Sequence, residues 1–241
     1  MVLLWIGVCI KRCDIMNRKD KYRGDVMTEE QLLELAEEIY QQSFEANTFY
    51  EIMMQIEREQ MEYFDEIRVS PAFYSYIYNS LVVSTFAVVS KLYDKTTHRN
   101  VISVKKLLDR CIEYKDFSTE LTVGEPTPED FFKSQKQEYE RFEKNNSLDS
   151  LYTQRDKIYS HNTKQAMRNM DKLIEENPLR REQIKQFIDF SLELSRAVIV
   201  YLTGTLKASS PSNISDLKHT LRLVRLGNEY KETYNSKELR E

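Results

Sequence analysis

Apolar residues recur every three or four positions through most of this chain, which is the spacing of one face of an α-helix. Thr28 opens a capping-box pattern, and we predict a first helix from there to about residue 67. Ser70-Pro71 is a second start signal, whose helix runs to about residue 93. Its apolar middle, 81–89, is rich in β-branched residues and could form a strand, but its length and start signal favour a helix. We expect this helix to be the most buried one of a bundle.

The rest of the chain carries further helix starts and stops. Asn177-Pro178 starts a late helix, and Gly204 and Gly227 are placed to end the last two helices. Because mostly short polar connections join these long segments, the sequence predicts an all-α fold, an antiparallel helical bundle. The helices predicted after residue 93 cover 103–114, 128–144, a segment capped by Ser147, 178–202 and 212–226.

The chain of 241 residues is long enough for one sizeable core, and nothing in it requires a second one. Its apolar opening, 1–10, is too short to span a bilayer, and its basic residues follow it, unlike those of a signal peptide. A true start at Met16 or Met27 would account for this stretch. We expect a non-conforming or disordered N-terminal extension over 1–26, a helical bundle domain over 27–227 and a polar C-terminal tail over 228–241.

Composition and charge narrow the function classes. The net charge of −4 argues against a protein that coats nucleic acid by bulk charge, because such proteins are strongly basic. The apolar run 81–89 is too short and too rich in hydroxyl groups for a membrane span, so no membrane partner is expected. The three cysteines, Cys9, Cys13 and Cys111, form no disulfide framework, and a reducing cytoplasm suits them.

Neither a metal site nor a cofactor site is indicated by the sequence. His98 and His219 have no acidic or cysteine neighbours at ligand spacing, and the three cysteines lack a zinc pattern. A glycine-rich phosphate loop, a serine elbow and a cysteine nucleophile motif are all missing from the sequence. We therefore expect no metal and no cofactor.

The candidate chemistry lies in the run 155–161, which reads Arg-Asp-Lys-Ile-Tyr-Ser-His. Arg155 falls on the apolar stripe of its predicted helix, where a guanidinium needs a partner because burying it unpaired costs several kcal/mol or more. A neutral His161 can take the proton from a ribose 2′-hydroxyl or deliver one to the leaving 5′-oxygen. Arg155 can hold the phosphate and the added charge of its transition state. Asp156 can orient either group, or it can simply pair with Arg155, Lys157 or a neighbouring helix.

The spacing within this run does not assemble a site on a regular helix. Six residues place two side chains roughly 120° apart around the helix axis. Either the helix loosens before His161, or two copies of the run meet across a symmetric dimer, so that Arg155 of one chain completes the site of the other.

Arginine, a polar residue, a short spacer and then histidine is the order of the HEPN signature, and residues 155–161 match it. The chain resembles the HEPN superfamily, in particular its abortive-infection AbiU-like branch. The stretch 89–94, Val-Ser-Lys-Leu-Tyr-Asp, also resembles members of that branch. The resemblance implies an all-helical bundle that dimerises with the two motifs facing each other. Such proteins commonly act as metal-independent endoribonucleases in toxin–antitoxin or phage-defence systems.

What the resemblance implies for this chain can be stated by residue. Arg155 would bind the scissile phosphate, His161 would be the acid and base, and Asp156 would be the polar orienting residue. The expected partners are an RNA substrate, a second copy of the chain and an antitoxin where one exists. Thr163 stands where HEPN toxins that a nucleotidyltransferase silences often carry a tyrosine, so such modification is not expected. The alternative is a non-catalytic helical module whose motif binds a protein partner or nucleic acid.

Overall fold

A computed structural model describes residues 27–95, 101–118, 126–159, 170–212 and 214–238. Within these ranges the regular structure is helical and includes no strand, which confirms the all-α prediction. The N-terminal extension 1–26 and the segment 160–169 lie outside the described residues. The α-helices are α1 (Glu29–Glu62), α2 (Phe64–Ile67), α3 (Pro71–Leu92), α4 (Val104–Glu113), α5 (Pro128–Lys144), α6 (Ser147–Gln154), α7 (Met170–Glu176), α8 (Arg181–Thr203) and α9 (Asp216–Glu238), with a π-helix, Arg155–Tyr159, continuing α6.

Helix α1 is the axis of the bundle, and its start is the one that the sequence predicts. Thr28 accepts a hydrogen bond from the Gln31 backbone N–H at 3.3 Å, and the Gln31 side chain accepts one from the Thr28 backbone N–H at 3.1 Å. The predicted continuous helix to residue 67 is interrupted at Tyr63, whose backbone is not helical. Tyr63 is buried against α9, so the break follows from where its side chain packs.

The main core lies where α1 packs against α3 and α8, with α4, α5 and α6 closing it. Aromatic rings fill its centre, and Tyr93 lies among the rings of Tyr139, Phe142 and Phe187. A second, smaller cluster holds α9 against the C-terminal end of α1 and α2 through Tyr63, Ile67 and Leu221.

Helix α3 is not the most buried helix, and that prediction is wrong. Its buried residues are Thr85, Val89, Ser90 and Leu92, all near its C-terminal end, while Tyr76 is 75% exposed. Within the described ranges, α3 is the one helix whose length and apolar composition would suffice to cross a bilayer. The sequence analysis considered only the run 81–89, which is too short to span a bilayer, whereas the whole helix is long enough. One such helix is weak evidence for a membrane protein. Apolar composition sets the free energy of exposing a helix, whereas its burial depends on which elements pack around it.

The last two helices differ from their predicted limits. Helix α8 begins at Arg181, after Pro178, and ends as predicted at Gly204, whose φ of 69° is the left-handed conformation that glycine tolerates. Helix α9 does not stop at Gly227 but continues to Glu238. A glycine ends a helix when it turns left-handed, and Gly227 keeps a negative φ with open space around it. It therefore acts as an exposed helical residue that weakens the helix by about 1 kcal/mol relative to alanine.

Candidate functional site

The segment that carries the candidate site begins at a tight reversal between α5 and α6. Asn146 adopts the left-handed conformation, with φ 59° and ψ 11°, and is the N-cap of α6. Ser147, predicted as the cap, is instead the first residue of the helix, and its hydroxyl donates back to the Phe142 carbonyl at 3.2 Å. Leu148 and Leu151 then bury one face of α6 and set the direction in which the following residues leave the core.

The helix widens immediately after α6. Residues Arg155–Tyr159 form a π-helix, whose hydrogen bonds join residues five apart instead of four and therefore change the angular spacing of side chains. Of the two geometries that the spacing of the motif allowed, loosening of the helix is present over these residues. His161 itself lies outside the described residues.

Arg155 has the partner that its place on an apolar stripe requires. Its side chain is 27% exposed, and its Nε donates to Asp156 Oδ1 at 2.6 Å. That hydrogen bond raises the pKa of Arg155, with the charge of Asp156 adding to it, so the guanidinium stays charged. Its Cζ also lies 5.6 Å from the centre of the Tyr152 ring. The site residues Arg155 and Asp156 are therefore in direct contact, and the pairing of Asp156 with Arg155 is the one that occurs.

Tyr152 connects this pair to the core. Its hydroxyl donates to the backbone carbonyl of Tyr93, and burial raises its pKa, which keeps the phenol neutral and able to donate. Tyr93 in turn donates its own hydroxyl to the Phe187 carbonyl at 2.7 Å, and its side chain is 1% exposed. Two tyrosines thus fix the end of α3, helix α6 and helix α8 relative to one another.

Lys95, just beyond the end of α3, approaches the same ring. Its Nζ lies 4.5 Å from the centre of the Tyr152 ring and 2.5 Å from Asp149 Oδ1. Two cations, each paired with a carboxylate, therefore share one tyrosine. The two ion pairs, together with Tyr152, Asp94 and Thr153, line an open depression of about 430 Å³.

Sequence reasoning did not select Lys95, Asp149 or Tyr152 as site residues. A partial signal was present, since Lys95 directly follows the stretch 89–94 that resembles AbiU-like proteins. The fold brings that stretch and the π-helix into contact, so the two parts of the chain that carried the resemblance meet at one place. The sequence therefore placed Lys95 next to a stretch of interest, but it did not show that this stretch contacts the segment that carries Arg155.

Other reactive groups in the described part of the chain do not add to this site. Cys111 is buried, and burial raises the pKa of its thiol, which leaves it a poor nucleophile. Within the described ranges, no three His, Cys, Asp or Glu side chains converge as metal ligands. His219 is exposed on α9, and His98 lies outside the described residues.

Comparison with known proteins adds the family. The chain matches the model of the AbiU2 family of HEPN proteins over residues 29–220, from the first residue of α1 into α9. The protein belongs to the AbiU2 family of HEPN-type abortive-infection proteins. The matched region includes both stretches that meet at the depression, and the resemblance seen in the sequence is confirmed. No curated protein and no solved structure gave a match.

Proposed function

We propose that this AbiU2-family protein is a metal-independent endoribonuclease that acts in the cytoplasm as a toxin or phage-defence effector. The observation that carries the proposal is the charged, partly exposed Arg155 at the mouth of an open depression, on a π-helix within the family's motif. π-Helical segments are frequent at functional sites, because they re-aim side chains that a regular helix would direct elsewhere.

In the proposed reaction, the ribose 2′-oxygen attacks the adjacent phosphorus and the bond from phosphorus to the 5′-oxygen breaks. His161 takes the proton of the 2′-hydroxyl and, as the imidazolium so formed, delivers a proton to the departing 5′-oxygen. The products are a 2′,3′-cyclic phosphate end and a 5′-hydroxyl end.

The part assigned to Arg155 is to hold the phosphate. A guanidinium has five N–H donors, and the bond to Asp156 uses the one on Nε. Paired, charge-assisted hydrogen bonds from the terminal nitrogens can bind two phosphate oxygens and the negative charge that grows on them. Asp156 is then a positioning residue, because its 2.6 Å hydrogen bond sets the plane in which the guanidinium lies.

The test uses the purified full-length protein and a single-stranded RNA in buffer that contains EDTA. We expect cleavage, with cyclic phosphate and 5′-hydroxyl ends identified by mass spectrometry. Intact RNA after incubation with folded protein would contradict the proposal and support the non-catalytic interaction module instead. An antitoxin, where one is encoded, would abolish this activity by covering the depression.

We also propose that the protein works as a homodimer, an arrangement that a large exposed apolar surface supports. Helix α3 carries no charged side chain between Pro71 and Ser90, and Tyr76 and Val83 are exposed on it. Exposed apolar patches of a few hundred Å² often mark interaction sites, and tyrosines such as Tyr76 are typical of protein interfaces. Within the described residues, large hydrophobic side chains are also exposed elsewhere on α3, on its neighbours at this end of the bundle and on α9, namely Met61, Phe64, Val69, Phe73, Leu223, Leu226, Tyr230 and Tyr234.

A second copy suits this surface better than a membrane does. Two cations at this end already have protein partners, since Lys218 pairs with Glu62 at 2.9 Å and Arg225 pairs with Glu66 at 2.6 Å. A surface that binds anionic lipid presents an excess of free basic residues instead. The exposed faces of α3 and α9 together offer a projected area on the order of 500 Å². That is near the roughly 800 Å² that each partner contributes to a standard interface. Helix α3 also leads to the depression, so a dimer along it can bring the second copy close to Arg155.

Light scattering at micromolar concentration tests the dimer. We expect the wild type to be a dimer and Tyr76→Glu to be a folded monomer, because a carboxylate in the interface would lose its hydration without a partner. Leu206→Glu is the matched control, since Leu206 is as exposed as Tyr76 but lies outside the surface, and it should remain dimeric. A monomeric wild type, or a wild type that binds neutral lipid vesicles through Tyr76, would contradict the proposal.

A further inference from the structure

Lys95 and Arg155 hold equivalent places around Tyr152. Each cation lies against the same ring, at 4.5 Å and 5.6 Å from its centre, and each is paired with an aspartate, Asp149 or Asp156. Both cations lie within about 6 Å of the same ring centre, so they are close enough to each other to contact neighbouring phosphates of one strand. The ring is fixed by the hydrogen bond from its hydroxyl to the Tyr93 carbonyl, so it holds both cations at the depression.

We propose that Lys95 is a second phosphate-binding residue, which holds the backbone of single-stranded RNA next to the phosphate that Arg155 binds. This assignment rests on the proposed function, and it names the form of RNA that the site accepts. Duplex RNA is bound over an extended surface that spans many base pairs, whereas a depression of about 430 Å³ accommodates a short piece of one strand.

Lys95 is available for such a contact because its present partner holds it weakly. The side chains of Lys95 and Asp149 are 60% and 61% exposed, and ion pairs between exposed side chains contribute little to stability. A phosphate can therefore replace Asp149 as the partner of Lys95 without loss of buried structure. Arg155 is less exposed than Lys95, so its pairing with Asp156 is better shielded from water.

The charged residues that line the depression determine how RNA would bind there. Three carboxylates, Asp94, Asp149 and Asp156, stand against the two cations, so the depression does not attract RNA by its overall field. Binding must come from direct contacts with phosphates, for which Asp149 competes. Removing the charge of Asp149 should therefore strengthen binding, and removing Lys95 should weaken it.

The experiment measures binding of the full-length protein to a fluorescent single-stranded RNA whose 2′-hydroxyls are methylated, which prevents cleavage. We expect Lys95→Ala to weaken binding about tenfold and to reduce the slope of log K against log salt by about 0.7, the value for one phosphate contact on a single strand. Asp149→Asn should bind more tightly than the wild type. The control Lys133→Ala, which removes an exposed lysine paired with Glu129 on α5, should bind as the wild type does.

Cleavage of unmodified RNA separates this proposal from the proposed function. If Lys95 binds the backbone beside the reacting phosphate, Lys95→Ala should raise KM with little change in kcat. Binding by Lys95→Ala within twofold of the wild type, no binding of the single strand by the wild type, or preference for a duplex would each overturn the assignment. If binding follows the expected pattern while RNA stays intact in EDTA, the assignment of Lys95 stands and the endoribonuclease proposal fails.

Discussion

Alanine in place of Arg155 or His161 is expected to lower the proposed RNA cleavage in EDTA by about 10²–10³-fold or more, while the protein stays folded. That loss is the usual effect of removing a group that binds transition-state charge or transfers a proton. It corresponds to about 3–4 kcal/mol of transition-state stabilisation. The free energy of unfolding should change by less than about 1 kcal/mol for Arg155→Ala, because its ion pair with Asp156 is partly exposed. Single-turnover cleavage and urea unfolding provide the two measurements.

Conservative variants identify what Arg155 contributes. Arg155→Lys keeps the charge but loses the planar pair of donors, so we expect most of the activity to be lost. Asp156→Asn should have a smaller effect, about tenfold, because it removes only the acceptor that orients the guanidinium. Asp156→Glu should recover part of that loss if orientation is its role. Arg141→Ala is the matched control, since Arg141 forms an exposed pair with Glu138 on α5. Arg155→Ala at more than half of the wild-type rate would exclude the assigned role.

Mixing the two inactive variants distinguishes the two ways in which the motif can form a site. A dimer of one Arg155→Ala chain and one His161→Ala chain contains one complete site only if the two chains share their residues. The π-helix over Arg155–Tyr159 favours a site that is completed within one chain. We therefore expect no recovery of activity on mixing. Recovery would show that the dimer shares its sites.

Tyr93→Ala destabilises the protein by about 3–5 kcal/mol, the range for removing a large buried ring from a core. The side chain is 1% exposed, its ring centre lies 4.9 Å from that of Phe187, and its hydroxyl donates to the Phe187 carbonyl at 2.7 Å. The backbone carbonyl of Tyr93 accepts the hydrogen bond that fixes Tyr152, so loss of the ring should loosen the support of the depression. The variant should therefore also lose RNA binding. Urea unfolding followed by circular dichroism measures the change in free energy.

Tyr93→Phe isolates the hydroxyl from the ring. It keeps the packing and the backbone carbonyl that accepts from Tyr152, so we expect a loss of about 0.5–1.5 kcal/mol and unchanged RNA cleavage. A free energy of unfolding for Tyr93→Ala within about 1 kcal/mol of the wild-type value would show that the ring does not support the core as its packing indicates.

Helix limits were predictable where the stop or start signal acts within one helical turn. The capping box at Thr28, the proline start at Pro71 and the left-handed glycine at Gly204 each depend on backbone groups a few residues away. Gly227 carries the same residue type without the left-handed turn, and its helix continues. Glycine permits that turn but does not impose it, so the residue alone does not decide the helix end.

The burial of α3 was not predictable from its composition. Among the helices of the described ranges it is the one apolar enough to cross a bilayer, but only its C-terminal end is enclosed by other helices. The number of helices that surround a given face depends on the packing of the whole bundle. The sequence therefore indicated an apolar helix, without indicating how much of it the other helices cover.

For the candidate site, the sequence by itself determined the family and the motif, because both are carried by short contiguous stretches of the chain. It left three partners open for Asp156, and the structure selected Arg155. The π-helix, the place of Lys95 and the support from Tyr93 were decided only by the tertiary structure. Each of these depends on the contact between the end of α3 and the segment after α6, which are distant in the chain. Side chains so far apart in sequence become neighbours only when the core between them has packed, and no local pattern specifies that contact.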